Sequence, residues 1–298
     1  VLFAGVKHGV ERVSKVMMPL LVLLAMVVAV YSMTRPGAFE GVKYFLVPNV
    51  KNFSWMTVVA AMGQMFYSLS IAMGILYTYG SYMKEDVDIE QSTAQVEVFD
   101  TAIAMLAGLM IIPAVFAFSG GDPDTLKAGP SLMFITIPKV FASMGFGTGA
   151  GILFFLLVLL AALTSAISLA ESGVSTFEDQ FGWSRHKATA VMGVIIILLG
   201  VFSALGFGVW DFIAILGMSI LDFFDFLTNS LMMPIAALAT CFLVTRVVGL
   251  SRIEEEVAQS SAFKRRKMYH IFMKYLAPVC IIVILLSSVA NVFGWITM

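Results

Sequence analysis

The sequence predicts an all-α integral membrane protein with seven transmembrane helices, and three observations predict it. Hydrophobic residues make up 60% of the 298 positions, charged residues only 12%, and the mean hydropathy is +0.95. A soluble domain carries roughly 25% charged residues to hydrate its surface. The few charges are also segregated, leaving charge-free intervals at 16–34, 52–83, 101–121, 140–170, 188–210, 226–245 and 275–298. Each is close to or above the ~18–20 residues that carry a helix across a hydrocarbon core of about 30 Å. Lipid offers the backbone no hydrogen bonds, so a span is a helix or part of a closed barrel. Barrel strands would read as alternating segments of about ten residues, which these intervals do not resemble.

Lys and Arg orient the chain. If the first span runs outward from the cytoplasm and the rest alternate, the inner segments hold 13 of the 18 basic residues and the outer segments 5. That is the positive-inside bias of a cell-membrane protein. A net charge of -1 gives no sign of a nucleic-acid partner. The basic run Lys264–Lys267 reads as a juxtamembrane anchor to the lipid bilayer. The two cysteines, Cys241 and Cys280, fall within predicted spans with no CxxC and no metal-ligand spacing. The sequence opens at Val1 shortly before a full span, as a fragment of a longer protein would.

Span one covers roughly Val13–Met33 and ends at the Arg35-Pro36-Gly37 breaker. Span two, about Ser54–Met83, is longer than one crossing requires. Span three runs from about Gln91 to Phe118. The outer segment Ser119–Phe146 holds a Gly120-Gly121-Asp122-Pro123 turn and then Leu132–Ala142, apolar but too short to cross, which fits a re-entrant or surface-lying hairpin. Span four, about Thr148–Phe181, exceeds bilayer thickness and is expected to tilt or project. Spans five to seven are about His186–Leu205, Val209–Val248 and Lys267–Thr297.

Polar groups inside these spans are the candidate functional residues. Asp100 lies about nine residues into span three, roughly 13 Å at 1.5 Å per residue. A carboxylate at that depth costs about 2.5–3.5 kcal/mol, so it faces a cation or a water-filled cavity. A helix starting later would leave it at a hydrated end. Span two has Leu69 at its midpoint between Ser68 and Ser70, with Gly63 and Gly74 on either side and Gln64 and Tyr67 adding polar atoms. Either the helix is broken there, freeing carbonyls for a cation, or it is intact and the serines bond back to carbonyls one turn earlier. Thr164, Ser165 and Ser168 share a face of span four, as ion ligands or as interhelical hydrogen bonds among small residues. Asp222 and Asp225 read as an interfacial acidic pair. Glu171, deep in span four, requires a partner that the sequence does not name. No nucleophile–base pair or His/Asp metal set lies in the spans, which argues against an enzyme.

Several stretches together resemble the neurotransmitter:sodium symporters, in particular their bacterial amino-acid branch of eleven helices. They are Gly9-Val10-Glu11-Arg12 through Met17-Met18-Pro19, Gln64 through Ser70, Asp100 through Pro113, and Phe134-Ile135-Thr136-Ile137-Pro138. Ala161-Ala162-Leu163-Thr164-Ser165-Ala166-Ile167-Ser168 and Phe181-Gly182-Trp183-Ser184-Arg185 complete them. The resemblance implies that this is the C-terminal portion, helices five to eleven, of a 5+5 inverted-repeat bundle. Residues 1–298 then form a single membrane domain. Within it, 1–52 carry the last helix of the first repeat and an outer loop, 53–248 the second repeat, and 249–298 an additional helix.

The resemblance also implies roles. Tyr67, Ser68, Ser70, Met73, Ala166 and Leu169 line an amino-acid substrate site. Ser68 and Asp100 belong to a first Na⁺ site, and Ala161, Thr164 and Ser165 to a second. Gln64 and Asp225 serve an outer gate, and the hairpin after Ser119 closes the outer vestibule. The implied function is sodium-coupled uptake of an amino acid by alternating access, with the missing N-terminal helices of the same protein supplying the remaining ligands. A truncated membrane protein with a structural or regulatory role is the alternative. Chloride-dependent relatives carry a hydroxyl one turn after the position of Asp100. Here Ala104 stands there and Asp100 supplies the negative charge, so chloride is not expected. Gly9 and Pro19 mark the cytoplasmic end of span one as a segment able to unwind.

Overall fold

The computed structural model describes residues 1–120, 122, 132–143 and 145–296, and all regular structure among them is helical. Among the described residues, six helices are long and apolar enough to cross a membrane without interruption. They are α1 (Val6–Met33), α5 (Ile89–Ser119), α7 (Gly147–Phe181), α8 (Arg185–Leu205), α9 (Ile220–Val248) and α11 (Arg266–Val292). Shorter helices are α2 (Ala38–Leu46), α3 (Trp55–Ser68), α4 (Ile75–Ser81) and α10 (Leu250–Ser260). The last is α6 (Leu132–Ala142), apolar and short.

Span two is therefore not one helix but two, α3 and α4, separated by residues 69–74. Span six begins at Ile220 rather than Val209. Positive φ at Leu216 (53°) and Gly217 (79°) turns the chain first, and Ser219 then caps the helix by accepting the N–H of Asp222 at 3.2 Å. Of the hairpin expected over 119–146, the Gly121 and Pro123 positions lie outside the described residues, and α6 supplies the short apolar helix.

The chain forms two compact units: residues 1–53 with 98–168, and residues 54–97 with 169–298. In the first, Leu21, Leu24, Ala25, Val28 and Ala29 make one stripe along α1, at the spacing that puts them on a single helix face. They pack with Met110, Ala114 and Val115 of α5, Ile137, Val140 and Phe141 of α6, and Ala150, Phe154 and Leu157 of α7. Glycines bring helices close here. A Cβ at Gly41 would stand 2.8 Å from Pro113 Cα, and one at Gly108 would stand 2.2 Å from the Phe45 ring. In the second unit Met233, Ala237 and Cys241 of α9 meet Phe66 of α3 and Ile281 and Ile284 of α11. On α8, Val194, Ile197, Leu198 and Val201 are all exposed. A helix apolar on its outer face has lipid as its solvent, which makes this a multi-pass membrane protein.

Candidate functional site

The interruption of span two is built by ordinary helix chemistry. Ser54 opens α3 with a reciprocal capping box. Its Oγ accepts the Thr57 N–H at 3.3 Å, and its own N–H donates to Thr57 Oγ1 at 3.2 Å. The other end closes in a Schellman motif: the Ile71 N–H donates to the Phe66 carbonyl at 3.2 Å and the Ser70 N–H to that of Tyr67 at 3.0 Å. The left-handed residue of that motif is a serine, Ser70 (φ 54°), where glycine is usual, and Ala72 (φ 63°) and Gly74 (φ 80°) follow it. A left-handed conformation costs an L-residue roughly 1–2 kcal/mol. Backbone strain of this kind is held only where the surroundings fix it, and it collects at functional segments.

The surroundings that fix it are three contacts of the lower half-helix. At its start, Gly74 lies so close to α7 that an added Cβ would be 2.3 Å from Ser172 Oγ. In its middle, Tyr77 donates to Thr240 Oγ1 of α9 at 2.8 Å, and Thr240 donates in turn to the Ala236 carbonyl at 2.9 Å. Beyond its end, Tyr82 donates to Glu171 Oε1 at 3.0 Å.

Glu171 is fully buried, and its partner is Arg185 at the start of α8. Arg185 Nη1 donates to Glu171 Oε1 at 2.8 Å while Nη2 pairs with Oε2, a bidentate fork. The same guanidinium reaches Glu178 at 3.2 Å. Nothing in the sequence spacing points to this fork. The cost of a carboxylate inside a span does, because Arg185 is the first basic residue after Glu171 in the chain.

The other expected site residues are placed as follows. Ser68 ends α3, half-buried, with Gln64 and Tyr67 exposed on the turn before it, and Met73 is half-buried within the break. Asp100 is half-buried on α5. On α7, Thr164 is 6% exposed and its hydroxyl donates to the carbonyls of Leu160 (3.1 Å) and Ala161 (3.0 Å). Its lone pairs still point away from that donated proton, and Ser165, Ala166 and Leu169 are exposed beside it. The two acids near the outer end of α9 separate in role. Asp222 serves the cap with Ser219, whereas Asp225 accepts from Asn229 Nδ2 one turn later. Gly9 and Pro19 lie in wound helix, Gly9 in a π-helical first turn.

Known proteins place this architecture. The model of the sodium:neurotransmitter symporter family matches residues 1–295. An uncharacterised sodium-dependent transporter of Bacillus subtilis is 34% identical over 96% of this chain and 63% of its own length. One of Haemophilus influenzae is 32% identical over 97% of this chain and 62% of its own. The rat sodium- and chloride-dependent taurine transporter is 26% identical, over 84% of this chain and 41% of its own length. The crystal structure of MhsT in complex with L-phenylalanine is similar at a TM-score of 0.81 and 36% identity, covering 97% of this chain and 65% of that one. The chain thus spans a little under two thirds of the bacterial relatives it matches, and it belongs to the sodium:neurotransmitter symporter family.

Proposed function

We propose that the intact protein couples inward Na⁺ flow to uptake of a hydrophobic amino acid across the cell membrane, and that this chain supplies its helices five to eleven. The observation that carries the proposal is the strained break at 69–74 between the closed end of α3 and the start of α4. Discontinuous helices at mid-membrane present carbonyls to coupling ions and helix ends to charged substrate groups. Ser68 and Asp100 serve a first sodium ion. The Ala161 carbonyl with Thr164 and Ser165 serves a second, since the Thr164 hydroxyl keeps lone pairs for a cation while donating its proton backward. Tyr67, Ser70, Met73, Ala166 and Leu169 line the substrate pocket. Their apolar share favours side chains such as that of phenylalanine, the ligand named for the MhsT structure. Gln64 and Asp225 act at the outer gate, with Asn229 orienting the acid.

Residues 53–248 form the second repeat of an inverted pair, and 1–52 close the first. Asp100 provides the fixed charge that chloride supplies in chloride-dependent relatives, and Ala104 offers no hydroxyl to an anion, so transport runs without chloride. Release of the second sodium ion goes through unwinding near Gly9 and Pro19. A Cβ at Gly9 would meet the Val1 carbonyl at 2.2 Å, so Pro19→Ala is the cleaner perturbation. Slower sodium release in that variant is the expected outcome, and unchanged release refutes the unwinding step. For the function as a whole, binding of labelled L-phenylalanine and L-leucine to the intact protein is measured with sodium and with choline. Sodium-dependent, saturable binding supports transport of this class, and equal binding in both salts rejects it.

A further inference from the structure

The basic run Lys264–Lys267 leads into the first turn of α11, and this creates a conflict. The positive-inside rule places cations on this segment, yet a helix N-terminus is the positive end of the macrodipole and disfavours them. Its first N–H groups also need acceptors, and Arg265, the residue before the helix, offers no side-chain cap. Carboxylates from two other elements resolve both problems. Glu90, at the start of α5, accepts the Lys264 N–H through Oε2 at 2.8 Å and the Arg265 N–H through Oε1 at 3.2 Å. It thus caps α11 from another helix. The Arg265 guanidinium stays with the same element, 3.8 Å from Glu90 and 3.4 Å from Glu97. Glu254 of α10, only 6% exposed, receives Arg266 at 2.6 Å and His270 on the next turn of α11.

We propose that Glu90 and Glu254 form a two-carboxylate latch that ties the cytoplasmic start of α11 to that of α5 and, beside it, to α10, and that its release is part of opening the protein to the cytoplasm. The gating half rests on the transporter function proposed above. The latch itself rests on the contacts alone. The Glu90 bonds are lost together, because removing this carboxylate frees both N–H donors before α11 and takes away one of the two carboxylates beside Arg265. α5 also carries Asp100 ten residues after Glu90, so a shift of this helix on ion release loads the latch directly.

Hydrogen exchange followed by mass spectrometry on the protein in lipid nanodiscs tests the latch. Glu90→Ala is expected to speed exchange over 262–267 at least tenfold, and Glu90→Gln, which keeps an acceptor oxygen, is expected to fall between. Glu254→Ala is expected to act over 266–271. Exchange over 171–185 stays unchanged in all three and reports intact folding. Unchanged exchange at 262–267 in Glu90→Ala overturns the latch. Uptake by the intact protein tests gating. If the closed state loses its latch, the inward-open population rises and the apparent affinity for external sodium falls, by at least threefold in Glu90→Ala. Faster exchange with sodium affinity within error of wild type overturns the gating role. Absence of sodium-driven uptake in the wild type rejects the transporter function, and the exchange result still decides the latch.

Discussion

Replacing Glu171 tests a fully buried charge of α7. Its carboxylate is fully buried, forked to Arg185 and hydrogen-bonded by Tyr82 at 3.0 Å. Removing one partner of a buried pair costs about 3–5 kcal/mol, because the survivor stays buried and uncompensated. The two directions are not equivalent here. Glu171→Gln leaves Arg185 with Glu178 at 3.2 Å, so the loss falls near the lower limit, about 3 kcal/mol. Arg185→Ala strands Glu171 with Tyr82 as its remaining donor, and the loss approaches about 5 kcal/mol. At roughly 2–4 °C per kcal/mol for chains of this order of size, Glu171→Gln lowers the apparent Tm by about 6–12 °C. Thermal unfolding in detergent, followed by tryptophan fluorescence, measures it. The double variant Glu171→Leu with Arg185→Leu should recover much of the loss, since a buried pair exchanged for apolar groups is often neutral. A Glu171→Gln protein that melts with the wild type, or a double variant no more stable than Arg185→Ala, contradicts a stabilising role for the buried pair.

Other outcomes follow from backbone and packing. Ser70→Gly removes a left-handed serine and is expected to raise stability by up to about 1 kcal/mol while weakening sodium-dependent binding, which separates strain from folding need; equal binding counts against a functional role for the strain. Gly74→Ala meets both φ 80° and Ser172 Oγ at 2.3 Å, and a companion Ser172→Gly should restore only the steric part of the lost Tm. Gly41→Ala should destabilise more than Gly108→Ala, since the first meets the Pro113 backbone and the second the movable ring of Phe45. The Asp88 carboxylate accepts the Gln91 N–H at 2.9 Å, and that bond holds it below the ordinary aspartate range. Its capping contribution is therefore full above the unfolded pKa and is lost as pH falls through the lower folded value. Protection of the amides at the start of α5, taken relative to their intrinsic exchange, should fall only as pH drops below the ordinary aspartate range, and Asp88→Asn should erase that dependence.

The fold was legible because lipid makes one demand of every span, and length plus missing charge is enough to see it. The limits of α5, α7 and α8 fall within two residues of their expected positions. The break in span two was visible only as two open readings, for a physical reason. Serines at mid-span bond back in an intact helix just as readily as they terminate one, and the decision came from tertiary contacts at Gly74, Tyr77 and Tyr82, none of them local. α2 and α10 carry no such signal, because helices of 9 and 11 residues lack a span's length. The fork between Glu171 and Arg185, and the Glu254 pair with Arg266 and His270, join residues whose spacing carries no motif. They become legible only from the rule that a buried charge finds a partner.

In the proposed mechanism Ser68 and Asp100 serve a sodium ion that amino-acid binding requires. Equilibrium binding of labelled L-phenylalanine to the intact protein, in sodium gluconate free of chloride, addresses it with wild type and Asp100→Asn side by side. Full sodium-dependent binding by the wild type, with at least a tenfold loss of sodium affinity in Asp100→Asn, is the predicted result. A wild type that needs chloride, or an Asp100→Asn protein that binds sodium unimpaired, contradicts it.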